Sequence, residues 1–261
     1  MKILIAVITC HSQTHFQQAI RDTWLSQVPP DVDVRFFSGA GATREPKEDE
    51  VFLESAPDDY FSLPEKVQCV LKWAYERGYD YALKLDNDVV IKPKELLSSG
   101  FDQHDFVGAR NHNGKIEEIH TPWGFAYWLS RRAMKLVIDS PLPGRLGSTH
   151  NYYHANDEAW ISTVLYKNLI FLHDDQRYFL HQGKPSRPLN RPLRAPRRIG
   201  IVAPPGTFAW CMYLDFGQHT KSVKEILEEF RTVYEAQNEF NGRASEGTEP
   251  SKSGGCQERL A

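Results

Sequence analysis

Cysteine is scarce in this sequence and never occurs in closely spaced pairs. The 261 residues include four cysteines, Cys10, Cys69, Cys211 and Cys256, and no two of them form a C-x-x-C motif. Small zinc-binding modules and dense disulfide frameworks both depend on such clustering, so neither class of protein is indicated. A reducing compartment is therefore the expected setting.

The sequence also lacks a large excess of charge of either sign. It contains 31 basic and 34 acidic residues, which give a net charge of −3 at pH 7 with neutral histidines. Proteins that bind nucleic acid through its phosphates usually carry a clear excess of basic residues. We therefore expect no nucleic-acid partner.

Long hydrophobic runs are absent as well. No run approaches the roughly 20 apolar residues that a transmembrane helix requires. The apolar residues 1–8 lead directly into Thr9, Cys10 and His11 without a small-residue cleavage site, so we interpret them as a core strand rather than a signal peptide. An apolar content of 41% suffices for a full hydrophobic core, and we therefore expect a soluble globular protein without internal repeats.

Apolar periodicity predicts strands that alternate with helices. A strand at residues 2–8 precedes a capping-box sequence between Thr14 and Gln17, and the clearest helical spacing lies between Ser62 and Gly78. Further strands are predicted at 32–37, 51–53, 81–86, 105–109, 124–129, 169–172, 178–180 and 208–214, and further helices at 131–138, 156–166 and 223–241. This succession predicts an α/β fold with a central, mostly parallel sheet flanked by helices.

One carboxylate, Asp86, closes the predicted strand at 81–86, and a second, Asp88, follows it. Side chains two residues apart on an extended chain point the same way, so Asp86 and Asp88 can face one ligand while Asn87 faces elsewhere. Oxygen ligands of this kind suit Mg²⁺ or Mn²⁺, and strand ends are preferred ligand positions in open α/β sheets. The same spacing occurs at Asp31 and Asp33 in a predicted turn, so context rather than spacing carries the metal hypothesis.

Four segments recur in the order found in a known family. They are Ala19-Ile-Arg21-Asp-Thr-Trp24, Asp59-Tyr60-x-x-Leu63-x-x-Lys66, Lys84-Leu-Asp86-Asn-Asp88-Val, and Gly124-Phe-Ala-Tyr127-Trp-Leu-Ser130 followed by Asn156-Asp157-Glu158. Their order and spacing over residues 1–170 resemble glycosyltransferase family 31, the β-1,3-galactosyltransferase, N-acetylglucosaminyltransferase and Fringe group. Asn87 stands where the family pattern K-x-D-D-D has its middle aspartate.

The resemblance implies a GT-A (Rossmann-like) glycosyltransferase fold, a UDP-sugar donor, Mn²⁺ or Mg²⁺, and inversion at the anomeric carbon. By the same resemblance, Asp88 ligates the metal and Asp86 approaches the ribose or the metal. Lys66 and Lys84 would supply positive charge near the nucleotide, with ordinary surface lysines as the alternative.

Two further nucleotide contacts are predicted near the first strand. Thr9 ends that strand, where it would line the uridine pocket, although a polar loop there needs no function. Arg21 lies on the following helix, where the resemblance implies a contact with uridine or a phosphate. An ion pair with a carboxylate such as Asp22 or Asp59 is the equally weighted alternative.

The resemblance also identifies a candidate general base and a late metal ligand. Asp157 aligns with the aspartate of the family motif E-D-V and would accept the proton of a sugar hydroxyl, with Glu158 as the alternative base and helix capping as the structural interpretation. The family often uses a late histidine as a metal ligand. His219 has the matching position, and His181 is the second choice.

Aromatic residues around position 124 are candidates for acceptor binding. Trp123 and Tyr127 could pack against the apolar face of a sugar ring, whereas core packing is an equal alternative for Tyr127. The basic, proline-rich segment 183–198 could close over a diphosphate or meet anionic lipid, or it could be a solvated linker.

The sequence is therefore interpreted as one domain over residues 1–241, with a nucleotide-binding half (1–90), an acceptor half (91–241) and a disordered tail (242–261). The predicted activity is that of a metal-dependent, inverting hexosyltransferase, similar to a β-1,3-galactosyltransferase, acting on a glycan or glycolipid. A cytoplasmic location in a bacterial or viral system is expected, with peripheral membrane contact left open. A non-catalytic nucleotide-sugar or glycan-binding module and a metal-dependent phosphohydrolase are the alternatives.

Overall fold

The computed structural model describes residues 1–116, 118–143, 156–180 and 209–211, and the single positions 228, 231, 232 and 235. Within these residues no helix has the length and apolar character needed to cross a membrane. The strands are β1 (Ile3–Ile8), β2 (Val32–Ser38), β3 (Glu50–Phe52), β4 (Tyr81–Asp86), β5 (Val89–Ile91), β6 (Phe106–Gly108), β7 (Arg110–Ile116), β8 (Ile119–Pro122), β9 (Ala126–Ser130), β10 (His173–Asp174), β11 (Tyr178–Leu180) and β12 (Ala209–Cys211).

Five α-helices accompany these strands in the described part of the chain. They are α1 (Thr14–Arg21), α2 (Leu63–Glu76), α3 (Pro93–Leu97), α4 (Arg131–Asp139) and α5 (Asp157–Lys167). Short 3₁₀ helices occupy His11–Gln13, Trp24–Gln27 and Phe101–Gln103. The helix predicted between Ser62 and Gly78 is confirmed as α2, and it ends before Gly78, whose φ of +77° favours glycine.

A seven-stranded sheet forms the centre of the molecule in the order β10-β6-β9-β4-β1-β2-β3. Strands β3, β2, β1 and β4 are parallel to one another, whereas β9 is antiparallel to both β4 and β6. The predicted α/β class with a mostly parallel central sheet is confirmed. Two smaller sheets, β11-β12-β5 and the hairpin β7-β8, complete the described topology.

Strand β1 is apolar throughout because both faces of the central sheet are covered. Its odd-numbered residues pack in one hydrophobic cluster with α1 and Trp24, and its even-numbered residues pack in a second cluster with α2, α4 and α5. The six side chains of β1 are all buried. The polar residues that follow β1 therefore lie at an edge of the sheet, between two hydrophobic layers.

The register of the strands places their carboxyl ends together. Ile8 pairs with Phe37 of β2 on one side and with Asp86 of β4 on the other. Because parallel strands end at the same edge, the residues after β1, β2 and β4 form one contiguous surface. This edge carries the residues that the sequence singled out.

Several predicted elements differ from the structure. The strand predicted at 169–172 is wrong, since Leu169 has a φ of +59° and the edge strand is β10. The N-cap of α1 is Gln13, so Thr14 lies inside the helix rather than capping it. Segment 183–198 and the predicted tail lie outside the described residues, as does most of the last predicted helix.

Candidate functional site

The turn Asp86-Asn87-Asp88 joins β4 to β5 at the carboxyl edge of the sheet. Asp86 and Asp88 are half-buried, whereas Asn87 is only 7% exposed. The backbone N–H of Asp86 donates to the carbonyl of Phe125 at 2.8 Å, which ties the turn to the start of β9. Asn87 and Asp88 form a turn and do not continue the strand, so the alternation of an extended chain does not describe them, and a shared orientation of Asp86 and Asp88 stays a prediction.

Lys84 is the charged centre of the site and is 2% exposed. Its Nζ donates to Asp86 Oδ1 at 2.6 Å and to the carbonyl of Gly124 at 2.5 Å, and it lies 3.7 Å from Asp157 Oδ2. Burial alone would lower the pKa of Lys84, but Asp157 and Asp86 outweigh it and raise the pKa above its ordinary value. Lys84 is thus a buried ammonium held by two carboxylates, and it is not a surface lysine.

Asp157 begins α5 and is 1% exposed. Its Oδ2 accepts a hydrogen bond from the hydroxyl of Tyr127 on β9. Its Oδ1 is buried and has no hydrogen-bond partner among the described residues. A buried acceptor without a donor is uncommon in a folded protein and costs stability, so Oδ1 is a position where an incoming hydroxyl would be stabilised.

Tyr127 is fully buried, and its ring packs edge-on against Phe106 in the second hydrophobic cluster. Burial, followed by the charge of Asp157, raises the pKa of Tyr127 well above its ordinary value, so its hydroxyl remains a donor at neutral pH. The ring of Tyr127 is thus part of the hydrophobic core, which was the alternative to acceptor binding. Its hydroxyl meets the site through Asp157.

Glu158 is half-buried beside Gly124. A Cβ added at Gly124 would come within 2.8 Å of Glu158 Oε2, so a glycine is required for the carboxylate to lie there. Burial and the neighbouring Asp157 raise the pKa of Glu158 to about 8. Two adjacent carboxyl groups therefore differ in environment, one fixed by Tyr127 and Lys84 and the other favouring its protonated form.

Trp123 precedes this glycine and is half-buried at the margin of the first hydrophobic cluster. Its backbone N–H donates to the carbonyl of Ala109 at 2.8 Å. The structure thus places Trp123 next to the residues that contact Lys84 and Glu158. Its contact with an acceptor stays a prediction.

Lys66 joins α2 to the ends of β1 and β2. The lysine is 3% exposed, and its Nζ donates to Asp58 Oδ1 at 2.7 Å and to the carbonyl of Thr9 at 3.1 Å. Asp58 also accepts the backbone N–H groups of His11 and Gly39, both at 2.7 Å. Although burial opposes ionisation, these donors lower the pKa of Asp58, so its carboxylate fixes the loops around the predicted uridine pocket.

Arg21, the last residue of α1, forms ion pairs with two carboxylates at and directly before the start of β3. Its guanidinium donates to both carboxylate oxygens of Asp49 at 2.8 Å and to Glu50 at 3.1 Å. Burial opposes ionisation of Glu50, which is also bonded to Arg44, but the two arginines help lower its pKa to about 2. Arg21 therefore forms ion pairs, which was the alternative to nucleotide binding, and its partners are Asp49 and Glu50. A contact with the nucleotide stays a prediction.

Asp86 and Asp88 offer oxygen ligands on one turn, a donor set that suits a hard divalent cation in chemical type. Among the described residues, no three histidine, cysteine, aspartate or glutamate side chains converge as a complete metal site. His219 and His181, the candidates for a further ligand, lie outside the described residues. Two candidate ligands thus lie within three consecutive described residues, and the metal site itself stays a prediction.

Sequence reasoning missed Asp58 and the contact between Gly124 and Glu158. The segment that carries the resemblance begins at Asp59, one residue after Asp58. A one-residue shift would have found Asp58. No sequence signal pairs Gly124 with Glu158, because that contact joins the turn before β9 to α5 only in the folded chain.

No family model and no curated protein matches this chain. In the apo-form of the glycosyltransferase GlyE of Streptococcus pneumoniae TIGR4, the alignment covers 94% of this chain and 64% of GlyE, with a TM-score of 0.51 and 11% identity. A second structure of GlyE aligns over 97% of this chain and 66% of GlyE, with a TM-score of 0.51 and 13% identity. The chain has a GT-A glycosyltransferase fold.

Galactosyltransferase LgtC, in complex with donor and acceptor sugar analogs, aligns over 92% of this chain and 99% of LgtC with a TM-score of 0.49 and 13% identity. The chain therefore spans about two thirds of GlyE and nearly the whole of LgtC. At these identities, likeness bears on the fold and not on the substrate.

Proposed function

We propose that this chain is a glycosyltransferase that moves a sugar from a UDP-sugar to a carbohydrate hydroxyl with inversion at the anomeric carbon. The observation that carries the proposal is the position of Lys84, Asp86 and Asp157 at the carboxyl edge of a sheet with this fold. A hexose donor, a β-1,3 linkage and a glycan or glycolipid acceptor are the finer expectations, and they rest on the family-31 motifs.

The donor side of the reaction requires compensation of negative charge. UDP is a poor leaving group while its diphosphate charge is unbalanced, and a bound Mn²⁺ or Mg²⁺ supplies that balance as a Lewis acid. Asp86 and Asp88 would hold the cation, with His219 or His181 as a further ligand. Lys84 keeps Asp86 in place, because its ammonium bonds Asp86 Oδ1 from within the protein.

The acceptor side requires a base. As the acceptor oxygen bonds the anomeric carbon and the bond to UDP breaks, the hydroxyl proton passes to Asp157, our proposed base. Tyr127 and Lys84 engage Oδ2 and leave Oδ1 without a partner in the described structure. Glu158 holds its proton up to a pH of about 8, so it is less suited to accept one at neutral pH.

Glu158 is the alternative base because it is more exposed than Asp157. An acceptor hydroxyl reaches a half-buried carboxylate more easily than one that is 1% exposed. The two assignments make opposite predictions for the pH dependence of turnover. Kinetic measurements therefore separate them.

The proposal is tested by measuring UDP release from a panel of UDP-sugars with Mn²⁺, with Mg²⁺ and with a chelator. We expect turnover of at least one UDP-hexose in the presence of a divalent cation. The variant Asp88→Asn should lose cation-dependent UDP binding in calorimetry, and Asp31→Asn, in the other Asp-x-Asp pair, should not. Binding of UDP without turnover on any acceptor would favour the non-catalytic module, and unchanged binding by Asp88→Asn would overturn the metal assignment.

A further inference from the structure

Asn87 makes two hydrogen bonds that leave its own turn. Its Nδ2 donates to Thr9 Oγ1 at 3.1 Å and to Gln13 Oε1 at 2.8 Å. Thr9 follows β1, and Gln13 ends the 3₁₀ helix that precedes α1. The middle residue of the turn is therefore anchored to the β1–α1 loop, 74 and 78 residues away in sequence.

Thr9 extends this connection to the rest of the edge. Its hydroxyl lies 3.5 Å from Gln17 Nε2, and its backbone carbonyl accepts the hydrogen bond from Lys66. The threonine is 4% exposed, so these contacts form in a buried polar cluster rather than in solvent. Hydrogen bonds that bury both partners restrict relative movement, and breaking one leaves a buried donor unpaired.

We propose that Asn87 is a positioning residue that fixes the Asp86–Asp88 turn against the β1–α1 loop through Gln13 and Thr9. The role of the two flanking carboxylates in donor binding rests on the proposed function. The anchoring itself is a property of the ligand-free protein. It makes the orientation of the donor-binding carboxylates depend on a residue in a different segment of the chain.

The chemistry of an amide explains why asparagine suits this position. An amide nitrogen gives two N–H donors without charge, and both find oxygen acceptors here. An aspartate at position 87 has no N–H, so Gln13 and Thr9 would both have to reverse their roles and become donors. The aspartate would also place a third carboxylate between Asp86 and Asp88, at a position where Asn87 is only 7% exposed.

The experiment changes Gln13, which lies outside the turn. Gln13→Ala removes the acceptor, Gln13→Glu retains an acceptor oxygen, and Gln18→Ala is the control on the exposed side of α1. Hydrogen–deuterium exchange is measured on the ligand-free protein for the peptide covering residues 85–91. Calorimetry then measures the affinity for UDP with Mn²⁺.

We expect Gln13→Ala to accelerate exchange in the peptide 85–91 and to weaken UDP–Mn²⁺ affinity by about 10-fold, the lower end for loss of an outer-shell partner. Gln13→Glu and Gln18→Ala should resemble the unmodified protein in both measurements. Adding Asn87→Ala to Gln13→Ala should accelerate exchange by less than Asn87→Ala does alone, because both changes remove the bond between Asn87 and Gln13 and only Asn87→Ala also removes the bond to Thr9.

The proposal would be overturned if Gln13→Ala left exchange in the peptide 85–91 unchanged. It would also be overturned if Gln13→Glu accelerated exchange and weakened affinity as much as Gln13→Ala does, or if exchange accelerated evenly over all peptides. A different outcome bears on the proposed function. If the unmodified protein fails to bind UDP with Mn²⁺ while exchange responds to Gln13→Ala, the anchoring stands and the donor-site assignment fails.

Discussion

Lys84 and Asp86 lie two residues apart on β4, and the Nζ of Lys84 is 2.6 Å from Asp86 Oδ1. Residues at this spacing project from the same face of a strand, so the two side chains run side by side toward the carboxyl edge. The lysine is 2% exposed, whereas the aspartate side chain is 36% exposed. An internal cation thus supports a carboxylate that can still meet a ligand from outside.

Replacing Lys84 with methionine should strongly destabilise the fold. Removing one member of a buried charge network leaves Asp157 and Asp86 uncompensated, which typically costs about 3–5 kcal/mol. The free energy of unfolding, measured by urea denaturation at pH 7, checks this value. Lys72→Met is the control, because Lys72 and Glu76 form an exposed pair that should contribute less than about 1 kcal/mol. If both variants lose the same small amount of unfolding free energy, Lys84 does not compensate the buried charges of Asp86 and Asp157 as argued.

Glu158 should make stability fall as pH rises. Its folded-state pKa of about 8 lies above the ordinary value of 4.5, so the native state retains a proton that the unfolded chain releases. Stability from this group is complete below pH 4.5 and is lost progressively up to about pH 8. Glu158→Gln mimics the protonated form and should therefore stabilise the protein at pH 8 more than at pH 4.5. Denaturation curves at both pH values measure the difference. If the substitution changes the free energy of unfolding equally at both, the pKa of Glu158 is not raised in the folded protein.

The fold was largely predictable because its signals are local. The apolar run of β1 and the helical spacing of Val67, Val70, Leu71 and Ala74 in α2 follow directly from burial on fixed faces. The small sheet was not predictable, since β5 pairs with β12 across more than a hundred residues of sequence. Hairpin β7–β8 was missed because the chain at 110–115 is polar and gives no apolar alternation.

The candidate site shows the same division between local and distant signals. Spacing predicts that Asp86 and Asp88 share an orientation on an extended chain, but β4 ends at Asp86 and a turn follows, so the shared orientation stays a prediction. The contact of Tyr127 with Asp157 joins a strand to a helix 30 residues later, and no local pattern encodes it. Arg21 could equally have met a nucleotide or a carboxylate, and only the folded chain brings Asp49 and Glu50 to it from 28 and 29 residues away.

Tyr127→Phe should test how much the hydroxyl contributes to Asp157. Loss of the donor leaves the buried Oδ2 of Asp157 with fewer partners, so we expect a destabilisation of about 1–3 kcal/mol. Turnover should also fall, while donor affinity remains close to normal, because the change affects the base and not the nucleotide pocket. Tyr79→Phe is the control: its hydroxyl donates to Asp33, a more exposed carboxylate remote from the site. If both variants lose the same turnover, the effect of Tyr127 is not specific to Asp157.

Binding and chemistry should separate when Asp157 is changed. A general base assists proton removal in the transition state and contributes little to holding the donor, so Asp157→Asn should reduce turnover by roughly 10²- to 10⁴-fold with near-normal UDP-sugar affinity. The amide keeps the size of the side chain and can still accept the hydrogen bond from Tyr127, but it cannot take up a proton at neutral pH. Single-turnover rates at saturating donor measure the loss directly.

Glu158→Gln is the matched variant, and its pH profile decides between the two carboxyl groups. If Asp157 is the base, Glu158→Gln retains most activity, and kcat/KM of the unmodified protein does not rise through pH 8. If Glu158 is the base, only its ionised form is active, so kcat/KM falls about tenfold for each pH unit below its pKa of about 8. Glu158→Gln would then lose turnover while Asp157→Asn kept it. Full activity in both variants would remove the start of α5 from the mechanism.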